Sequence, residues 1–519
     1  MLLDITQAIS SHDAFFIYLP TVLAVWTVLS AALIYQNRPK NVKLSGRSLF
    51  WGKWLSTLDF TIHGSQTIVD SYRKSKRQPF AVPALREYLI LVSNPKHILE
   101  VARCPESILS FHDAMKNRLR HKITMMGFEH NEIDSDEYVT MQVIKMHLRK
   151  NLPVLNPVIQ RAVERGFPAY LKGATQSAKG EVLITPVFSL VKAIVGRVNN
   201  QIFFGDELSQ NEEFAKAAMR YPWDGSTTGE ICRYLPEAIV PIVGRIMMAL
   251  SGSMRRVDHH VTKLVDKRLK ELADGTGEKQ HVDITQFVII SSKTPGQREP
   301  RRMVQLIAAL LFAVSLAVPM ALYWAIINLC VHREYIDALR EEIQAVEQQQ
   351  LSDPLKGMRL LDSFLRESGR LNPPDSLSVQ RKAVKTFKLS DGTTIPTGNL
   401  VAVPQYAVMR DPEYYPNPEQ FNPRRFYLEE DLTSDNAVQR FTDVNIQYPF
   451  WGAPTKSCPG RWYASDVLKM ILVHLLKNYD FELVGPANTE PLKITTALAP
   501  RFNVQVKIRA RSENAKGQL

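Results

Sequence analysis

The sequence predicts a mainly α-helical fold with small β-sheets, preceded by one N-terminal transmembrane helix. A long apolar run at 301–329 and several amphipathic segments have helical character, whereas alternating segments typical of strands are few and short. A second run, at 14–35, contains no charged residue. Hydrophobic residues make up 45% and charged residues 22% of the 519 residues, which provides material for a large core. This composition excludes a largely disordered, collagen-like or coiled-coil protein.

The predicted transmembrane helix lies between Ala14 and Tyr35. At 1.5 Å per residue this run spans roughly 30 Å, the thickness of the hydrocarbon core of a bilayer. Acidic residues precede the run and basic residues follow it: Asp4, Asp13, Arg38, Lys40 and Lys43. The positive-inside rule then places the remaining chain in the cytoplasm. We expect an anchor at 1–36 and one catalytic domain at 37–519. A cleaved signal peptide is the alternative, but a basic n-region and a small-residue cleavage site are missing.

Net charge and cysteine spacing limit the possible partners and sites. The formal net charge of +12 favours an acidic partner or an anionic membrane surface. No basic run with interleaved aromatic residues suggests nucleic acid. The four cysteines are far apart, which excludes a disulfide scaffold and a CxxC zinc site: Cys104, Cys232, Cys330 and Cys458.

The helices of the body are predicted from periodicity. A helix at Val257–Ala273 precedes a polar break at Gly275–Gln280. The long helical region runs from 301 to about 350, apolar nearly all round at first and then amphipathic. Such an apolar helix is either buried in a large core or inside a membrane. Pro319 predicts a kink there and lost backbone hydrogen bonds.

The C-terminal part alternates helices with irregular segments. We predict a helix, a hairpin with an Asp-Gly turn, a Pro- and Asn-rich meander without period, and a buried helix: Arg359–Gly369, Phe387–Pro404, Asp411–Phe426 and Gly460–Asn478.

Cys458 is the strongest candidate for chemistry. It ends a loop of small and turn-forming residues, and Pro459 stands at a predicted first helical position. The N–H groups of Gly460 and Arg461 could donate to its sulfur, and the helix N-terminus favours a thiolate. Lys456 could pair with an acidic group of a ligand. A thiolate ligand with such donors is the haem-thiolate arrangement, whereas a buried inert cysteine is the alternative.

A set of ordered motifs accompanies this loop. Glu367 and Arg370 form an E-x-x-R pair in RESGR, followed by NPRRF with Arg425 and then by WGAPTKSCPGRWYA with Cys458. The set resembles the cytochrome P450 family, and RDPEYYPNPEQFNP is typical of the same region. CPGRW and the SDGTTIPTG hairpin look most like fungal members of secondary metabolism, in the style of ent-kaurene and indole-diterpene oxidases. The resemblance implies that Arg425 completes a supporting triad with Glu367 and Arg370.

The resemblance implies an α-rich prism that holds haem b (iron protoporphyrin IX) with Cys458 as axial thiolate ligand and metal ligand. It implies a monooxygenase that uses O2 and electrons from NADPH-cytochrome P450 reductase. The substrate would be a small hydrophobic natural product of terpenoid, indole or polyketide class. The enzyme would be a single-pass protein of the endoplasmic reticulum membrane with a cytoplasmic catalytic domain.

Two alternatives share this fold. The first is a haem-thiolate enzyme that catalyses rearrangement, dehydration or radical coupling without net hydroxylation. The second is a non-catalytic membrane-anchored binding protein. A cysteine hydrolase is disfavoured, because no His can be identified as the paired base for Cys458.

The cysteine loop departs from the family's pattern. Trp451 stands where a Phe is usual, Pro454 where a Gly is usual, and Lys456 where an Arg or His is frequent. Proline has a fixed φ, and lysine keeps the charge but loses the planar fork, so a reshaped loop is expected. The residues expected to bind the cofactor are Cys458, Lys456, Gly460, Trp451, Arg381, Phe312 and Ala313.

The centre of the long helix departs further. Family members commonly carry an acid, amide or His followed by Thr there, and these groups help to deliver protons. This chain has Leu316–Val318 followed by Pro319, and Ser315 is the only nearby hydroxyl. Ser315 and Ala317 are therefore the predicted catalytic positions. Protons could come through water held near Ser315 or from the substrate itself, and we favour the substrate.

Other segments carry weaker expectations. Lys145, His147 and Arg149 lie where an early helix of the family contacts one haem propionate, and Arg381 could reach the other. Phe111–Met126 is expected to cover the substrate.

Overall fold

The computed structural model describes residues 37–45, 50–84, 87–129, 138–176, 182–276, 281–427 and 439–511. The predicted transmembrane segment at 14–35 lies outside these residues. Residues 37–45 join the body: Lys40 forms a β-bridge with Thr394, and the first strand pairs with the second in parallel.

Helices dominate the described chain. They are α1 Phe50–Ser75, α2 Pro95–Arg103, α3 Phe111–Leu119, α4 His121–Thr124, α5 Tyr138–Gln142, α6 Arg149–Leu171, α7 Val187–Ser209, α8 Glu212–Arg233, α9 Val240–Ser251, α10 Ser253–Ala273, α11 Ile284–Ser291, α12 Pro300–Val331, α13 Glu334–Gln348, α14 Pro354–Gly357, α15 Arg359–Leu371, α16 Gln405–Val408 and α17 Arg461–Asn478. A π-helical segment, Val143–Leu148, joins α5 to α6, and a short 3-10 turn is formed by Pro449–Trp451.

The strands are short. They are β1 Lys43–Leu44, β2 Phe80–Pro83, β3 Tyr88–Leu91, β4 Leu109–Ser110, β5 Thr175–Gln176, β6 Leu183–Pro186, β7 Ser378–Ala383, β8 Phe387–Lys388, β9 Thr394–Ile395, β10 Leu400–Val403, β11 Gly452–Ala453, β12 Lys456–Ser457, β13 Tyr479–Leu483, β14 Leu492–Ile494, β15 Ala497–Ala499 and β16 Gln505–Ala510. They form a six-stranded sheet in the order β1-β2-β3-β10-β7-β4 and a four-stranded sheet in the order β13-β16-β6-β5. Three two-stranded pairs complete the set: β8-β9, β11-β12 and β14-β15. The prediction of a mainly helical fold with small sheets is confirmed.

Helix α12 is the central element of the core. It contacts α7, α8, α10, α15 and α17, and it belongs to the larger of two apolar clusters, the smaller being built on the six-stranded sheet. Among the described helices, α12 alone is long and apolar enough to cross a membrane, with a mean hydropathy of 2.3 over its most apolar window. More than half of that window is buried in the protein, which favours the core over the bilayer.

Most predicted elements match the structure, with differences at their ends. The predicted helical region from 301 to 350 is two helices, because His332 leaves helical geometry and stacks on Phe421 with ring centroids 4.6 Å apart. Helix α12 continues through the buried Pro319 as one element; the proline has no N–H to donate to the carbonyl of Ser315. Helix α17 begins at Arg461 with Gly460 as its N-cap residue, so Pro459 precedes the helix and is not its first residue.

Candidate functional site

Cys458 lies between the β11–β12 hairpin and the start of α17. The N–H groups of Gly460 and Arg461 donate to its sulfur, as the sequence predicted, and its own N–H donates to the Trp451 carbonyl at 2.7 Å. Burial raises the pKa of the Cys458 thiol, and these donors and the Arg461 charge only partly counteract it. The N–H groups at the helix start lower the pKa, as expected, while burial opposes them, and a metal that binds the sulfur would displace the proton.

The hairpin before Cys458 sets the position of the thiol. Gly452 pairs with Ser457 and has φ +96°, and a side chain on it would come within 2.9 Å of the Lys456 carbonyl oxygen. Pro454 lies in the turn between the two strands. Gly452, which the sequence analysis did not single out, is therefore the position that requires glycine, and the departure at Pro454 is accommodated at the turn.

Trp451 and Lys456 are engaged with protein groups. The Trp451 indole donates to the Phe441 carbonyl at 2.6 Å, and its ring packs edge-on against Phe441 and Phe450. The Lys456 ammonium donates to the Cys104 carbonyl at 3.2 Å and lies 3.4 Å from the Glu106 carboxylate. Both side chains therefore brace the loop, and the charge of Lys456 is already shared with Glu106.

Arg381 and Gly460 differ in their surroundings. Arg381 is buried on β7, donates to the Gln380 carbonyl at 2.8 Å and has its guanidinium 5.3 Å from the Phe111 ring centroid. Gly460 has no heavy atom within 4 Å of the position that a side chain would take. An open space therefore adjoins the loop beside Cys458.

Helix α12 presents one accessible face. Ala313 and Ala317, one turn apart, are exposed on a helix that is otherwise mostly buried, so they face an accessible space that we call the cleft. Cys458 also keeps accessible surface although it is enclosed by protein. Phe312 does not line the cleft; it is buried against α8, with its ring 6.1 Å from that of Tyr221.

Ser315 lies on the other side of α12. It is buried, and at about 100° per residue it is turned about 200° from Ala313. The hydroxyl therefore does not stand on the face that carries Ala313 and Ala317. This geometry weighs against a direct role for Ser315 in the cleft.

The buried E-x-x-R pair is held on α15. The Arg370 guanidinium donates to both Glu367 oxygens at 2.7 and 2.9 Å, and neither side chain is exposed. Arg425 lies 3.2 Å from Glu367, and Arg370 also donates to the carbonyls of Met409 and Pro418 at 2.7 Å. The triad is assembled as the resemblance implied, and it fastens the meander to α15.

Further buried charges on α15 were missed by the sequence analysis. Arg366 donates to the Arg440 and Asp443 carbonyls, and its guanidinium lies 4.0 Å from the Tyr448 ring centroid. Asp362 pairs with Lys469 of α17 at 2.7 Å. Charged residues at nearly every turn of RLLDSFLRESGRL are the signal that could have revealed a helix with buried polar partners.

The early-helix candidates are separated by the structure. Arg149 stacks on Trp462 at the start of α17, with its guanidinium 3.5 Å from the ring centroid, and Arg461 stacks at the same distance. His147 stacks on Phe287, and Lys145 is exposed. Arg149 is thus the member of the predicted group that contacts the helix following the cysteine loop.

Ion pairs fasten the segment that was expected to cover the substrate. Arg118, in α3, pairs with Asp375 at 2.5 Å, and Arg120, between α3 and α4, pairs with Glu237 at 2.8 Å. The segment is thereby joined to the loop before β7 and to the connection between α8 and α9.

The Cytochrome P450 family model matches residues 66–507. The chain belongs to the cytochrome P450 family. It is 27% identical over 473 residues to cytochrome P450 monooxygenase 71 of Postia placenta, which covers 90% of this chain and 92% of that protein. It is 29% identical over 500 residues to cytochrome P450 monooxygenase AN1598 of Emericella nidulans, which covers 94% and 90%. Cytochrome P450 monooxygenase olcJ of Penicillium canescens is 27% identical over 520 residues, with coverage of 98% and 95%.

Among solved structures, the retinoic acid-bound cyanobacterial CYP120A1 aligns with a TM-score of 0.67 and 19% identity, covering 88% of this chain and 96% of that one. At this identity the likeness shows the fold alone. The prediction of a haem-dependent oxidoreductase of the monooxygenase type is confirmed by the family, whose cofactor is a haem with a cysteine thiolate ligand. The fungal relatives support the predicted fungal type.

The residues of this P450 fit a haem. Cys458 offers an accessible sulfur with two backbone N–H donors, and Gly460 leaves open space beside it. Ala313 and Ala317 leave the accessible face of α12 without bulky side chains. Arg381, together with Lys456 beside Glu106, would supply positive charge for the haem carboxylates. Among the described residues, no group of three or more His, Cys, Asp or Glu side chains could hold a metal ion.

Proposed function

We propose that this P450 oxidises a small hydrophobic natural product of terpenoid, indole or polyketide class in secondary metabolism, with Cys458 as the axial ligand. The observation that carries the proposal is the accessible Cys458 sulfur with two N–H donors at the start of α17. Fungal relatives and the CPGRW motif support the substrate class. Electrons would come from NADPH-cytochrome P450 reductase.

When bound, the haem supplies activation of O2 for oxidation of the substrate. The chain's residues hold and orient the reactants: the Gly460 and Arg461 N–H groups tune the sulfur, and Arg381 supplies positive charge at the edge of the site. Ala313 and Ala317 leave room for O2 and an apolar substrate on α12. Leu316 and Val318 keep the helix centre apolar and limit the water that can be held there.

Proton supply is proposed to come from the substrate. A fixed water needs two to four polar partners, and the accessible face of α12 at Ala313 and Ala317 supplies no side-chain donor. The same apolar centre favours the second candidate, a rearrangement, dehydration or radical coupling without net hydroxylation. Incorporation of ¹⁸O from ¹⁸O2 into the product separates the two, because a net hydroxylation retains one labelled atom.

Membrane attachment is proposed to have two parts. The uncharged run at 14–35 would anchor the chain in the endoplasmic reticulum with the catalytic domain in the cytoplasm. Helix α9 supports a second contact, because Ile242, Ile246 and Leu250 are 61%, 54% and 83% exposed along one side.

The ligand assignment is tested by the reduced, carbon monoxide-bound absorption spectrum. We expect the strongly red-shifted Soret band of a thiolate ligand in the wild type and its loss in Cys458→Ser. Cys330→Ser, at a buried cysteine, is the control and should keep the band. A red-shifted band that persists in Cys458→Ser would overturn the assignment.

A further inference from the structure

Glu106 is a carboxylate that contacts two separate parts of the site. One oxygen accepts the N–H of Phe111, the first residue of α3, at 2.7 Å. The other lies 3.4 Å from the Lys456 ammonium in the cysteine loop, 350 positions away in the chain. Lys456 also donates to the Cys104 carbonyl, so the loop is joined to the residues on either side of Pro105. One side chain therefore links the start of α3 to the strand that precedes Cys458.

The surroundings of Glu106 keep it ionised. Although burial raises the pKa of this carboxyl, the Phe111 N–H and the charges of Arg381, His112 and Lys456 hold it below its usual value. The Arg381 guanidinium lies over the ring of Phe111, the residue whose N–H donates to Glu106. Glu106 thus adds one fixed negative charge to a cationic edge of the proposed haem site.

A second cap at the start of α3 is purely local. The Ser110 hydroxyl accepts the N–H of Asp113 at 3.0 Å and has no contact with the cysteine loop among its described hydrogen bonds. Ser110 and Glu106 therefore stabilise the same helix start, but only Glu106 carries charge and reaches Lys456. The chain itself supplies a control that loosens α3 without changing charge.

We propose that Glu106 is a positioning residue of this enzyme, which couples helix α3 to the cysteine loop and lowers the reduction potential of the bound haem. The proposal rests on the proposed function, in which Cys458 holds the haem, and on the expectation that Phe111–Met126, which contains α3, covers the substrate. A negative charge near the iron favours the oxidised form, and a positive charge favours the reduced form. Glu106 and Lys456 therefore shift the reduction potential in opposite directions, although both support the same contact between α3 and the cysteine loop.

The test compares Glu106→Gln, Lys456→Gln, the double variant and Ser110→Ala as full-length, haem-loaded proteins. The potential is measured by spectroelectrochemical titration, and hydrogen exchange of residues 107–119 is measured without substrate. We expect Glu106→Gln to raise the potential, Lys456→Gln to lower it, and both to increase exchange about three- to tenfold. The double variant should lie between the single variants in potential, and Lys456→Arg should restore both readouts. Ser110→Ala should increase exchange without moving the potential.

The affinity for 4-phenylimidazole, measured from the spectral shift on binding, is a third readout. It reports on α3 as part of the segment expected to cover the substrate. A weaker affinity in Glu106→Gln and Ser110→Ala alike would support the role of α3. Shifts of potential in the same direction for Glu106→Gln and Lys456→Gln, or an equal shift for Ser110→Ala, would overturn the electrostatic coupling. A wild type without the red-shifted carbon monoxide band would instead refute the proposed function, and this is determined before the variants are compared.

Discussion

Burial distinguishes the two E-x-x-R pairs whose charges the structure places together. Glu367 and Arg370 are wholly buried with their charged atoms 2.7 Å apart, whereas Glu230 and Arg233 have the same spacing but side chains 37% and 31% exposed. A solvated pair contributes little to stability, while the loss of one buried partner is costly. The same E-x-x-R spacing therefore has a different energetic weight in the two places.

We predict that Arg370→Ala yields little folded, haem-loaded protein. Loss of the guanidinium leaves Glu367 with Arg425 as its remaining cation and the Asn422 N–H as a donor, and it removes the donor to the Met409 and Pro418 carbonyls. The expected cost is about 3–5 kcal/mol, a large part of a typical stability of about 5–15 kcal/mol. Arg233→Ala is the matched control and should change stability by less than about 1 kcal/mol. Haem content and melting temperature are the measurements; equal melting temperatures for both variants would contradict the prediction.

The sequence indicated the candidate ligand Cys458 and its N–H donors, but not the distant residues that hold the cysteine loop in place. The donors to Cys458 follow from a helix start three residues on, which is local information. Glu106, by contrast, meets Lys456 through folding of segments 350 positions apart, and no local pattern encodes that contact. The burial that opposes these donors at the thiol likewise depends on the whole surrounding core and is not encoded locally.

At the scale of elements, α12 shows the limit of periodicity. A helix that is apolar nearly all round gives no pattern by which to assign its faces. The sequence therefore placed Phe312, Ala313, Ser315 and Ala317 together, while the structure exposes only the two alanines and buries the other two. Helix α15 had the opposite outcome, since the resemblance of its ordered motifs to the family implied the triad with Arg425.

The accessible face of α12 gives a prediction about coupling of electron use to product formation. Ala317→Thr should alter the NADPH consumed per product, because it places a hydroxyl on the accessible face. Ser315→Ala should leave this ratio unchanged, because Ser315 is buried on the other side. A deoxy analogue of the substrate should raise the ratio in the wild type if the substrate supplies protons, with the excess appearing as peroxide.

The measurement is NADPH and peroxide per product, with the native substrate and the analogue. Tight coupling on the analogue in all three proteins would contradict the substrate-assisted route. A loss of coupling confined to Ser315→Ala would indicate that water near Ser315 delivers the protons.

At the scale of the molecule, the types of the elements were predictable from the sequence, whereas the pairing of strands far apart in the chain was not. The helices at Val257–Ala273, Arg359–Gly369 and Gly460–Asn478 follow from amphipathic or apolar patterns. Strand β3 pairs with β10, and β6 with β16, across most of the chain. Short strands carry too little pattern to specify such partners, so only the family resemblance indicated the arrangement.

The last prediction concerns attachment of the whole molecule to membranes. Deletion of residues 1–36 should release the protein only in part and should spare haem binding. The deleted segment contains Asp4 and Asp13 and no Lys or Arg, so the remaining body is more basic than the full chain at +12. That charge attracts anionic lipid at roughly 1 kcal/mol per basic residue near the surface, an attraction that salt screens. The exposed Ile246 and Leu250 of α9 would contribute an apolar contact that salt does not screen.

We therefore expect partial sedimentation of the truncated protein with anionic vesicles at low salt, less at high salt, and less again for the truncated Ile246→Ser/Leu250→Ser variant. Neutral phosphatidylcholine vesicles are the control for charge. Complete recovery of the truncated protein in the soluble fraction at low salt would show that the anchor alone attaches the enzyme.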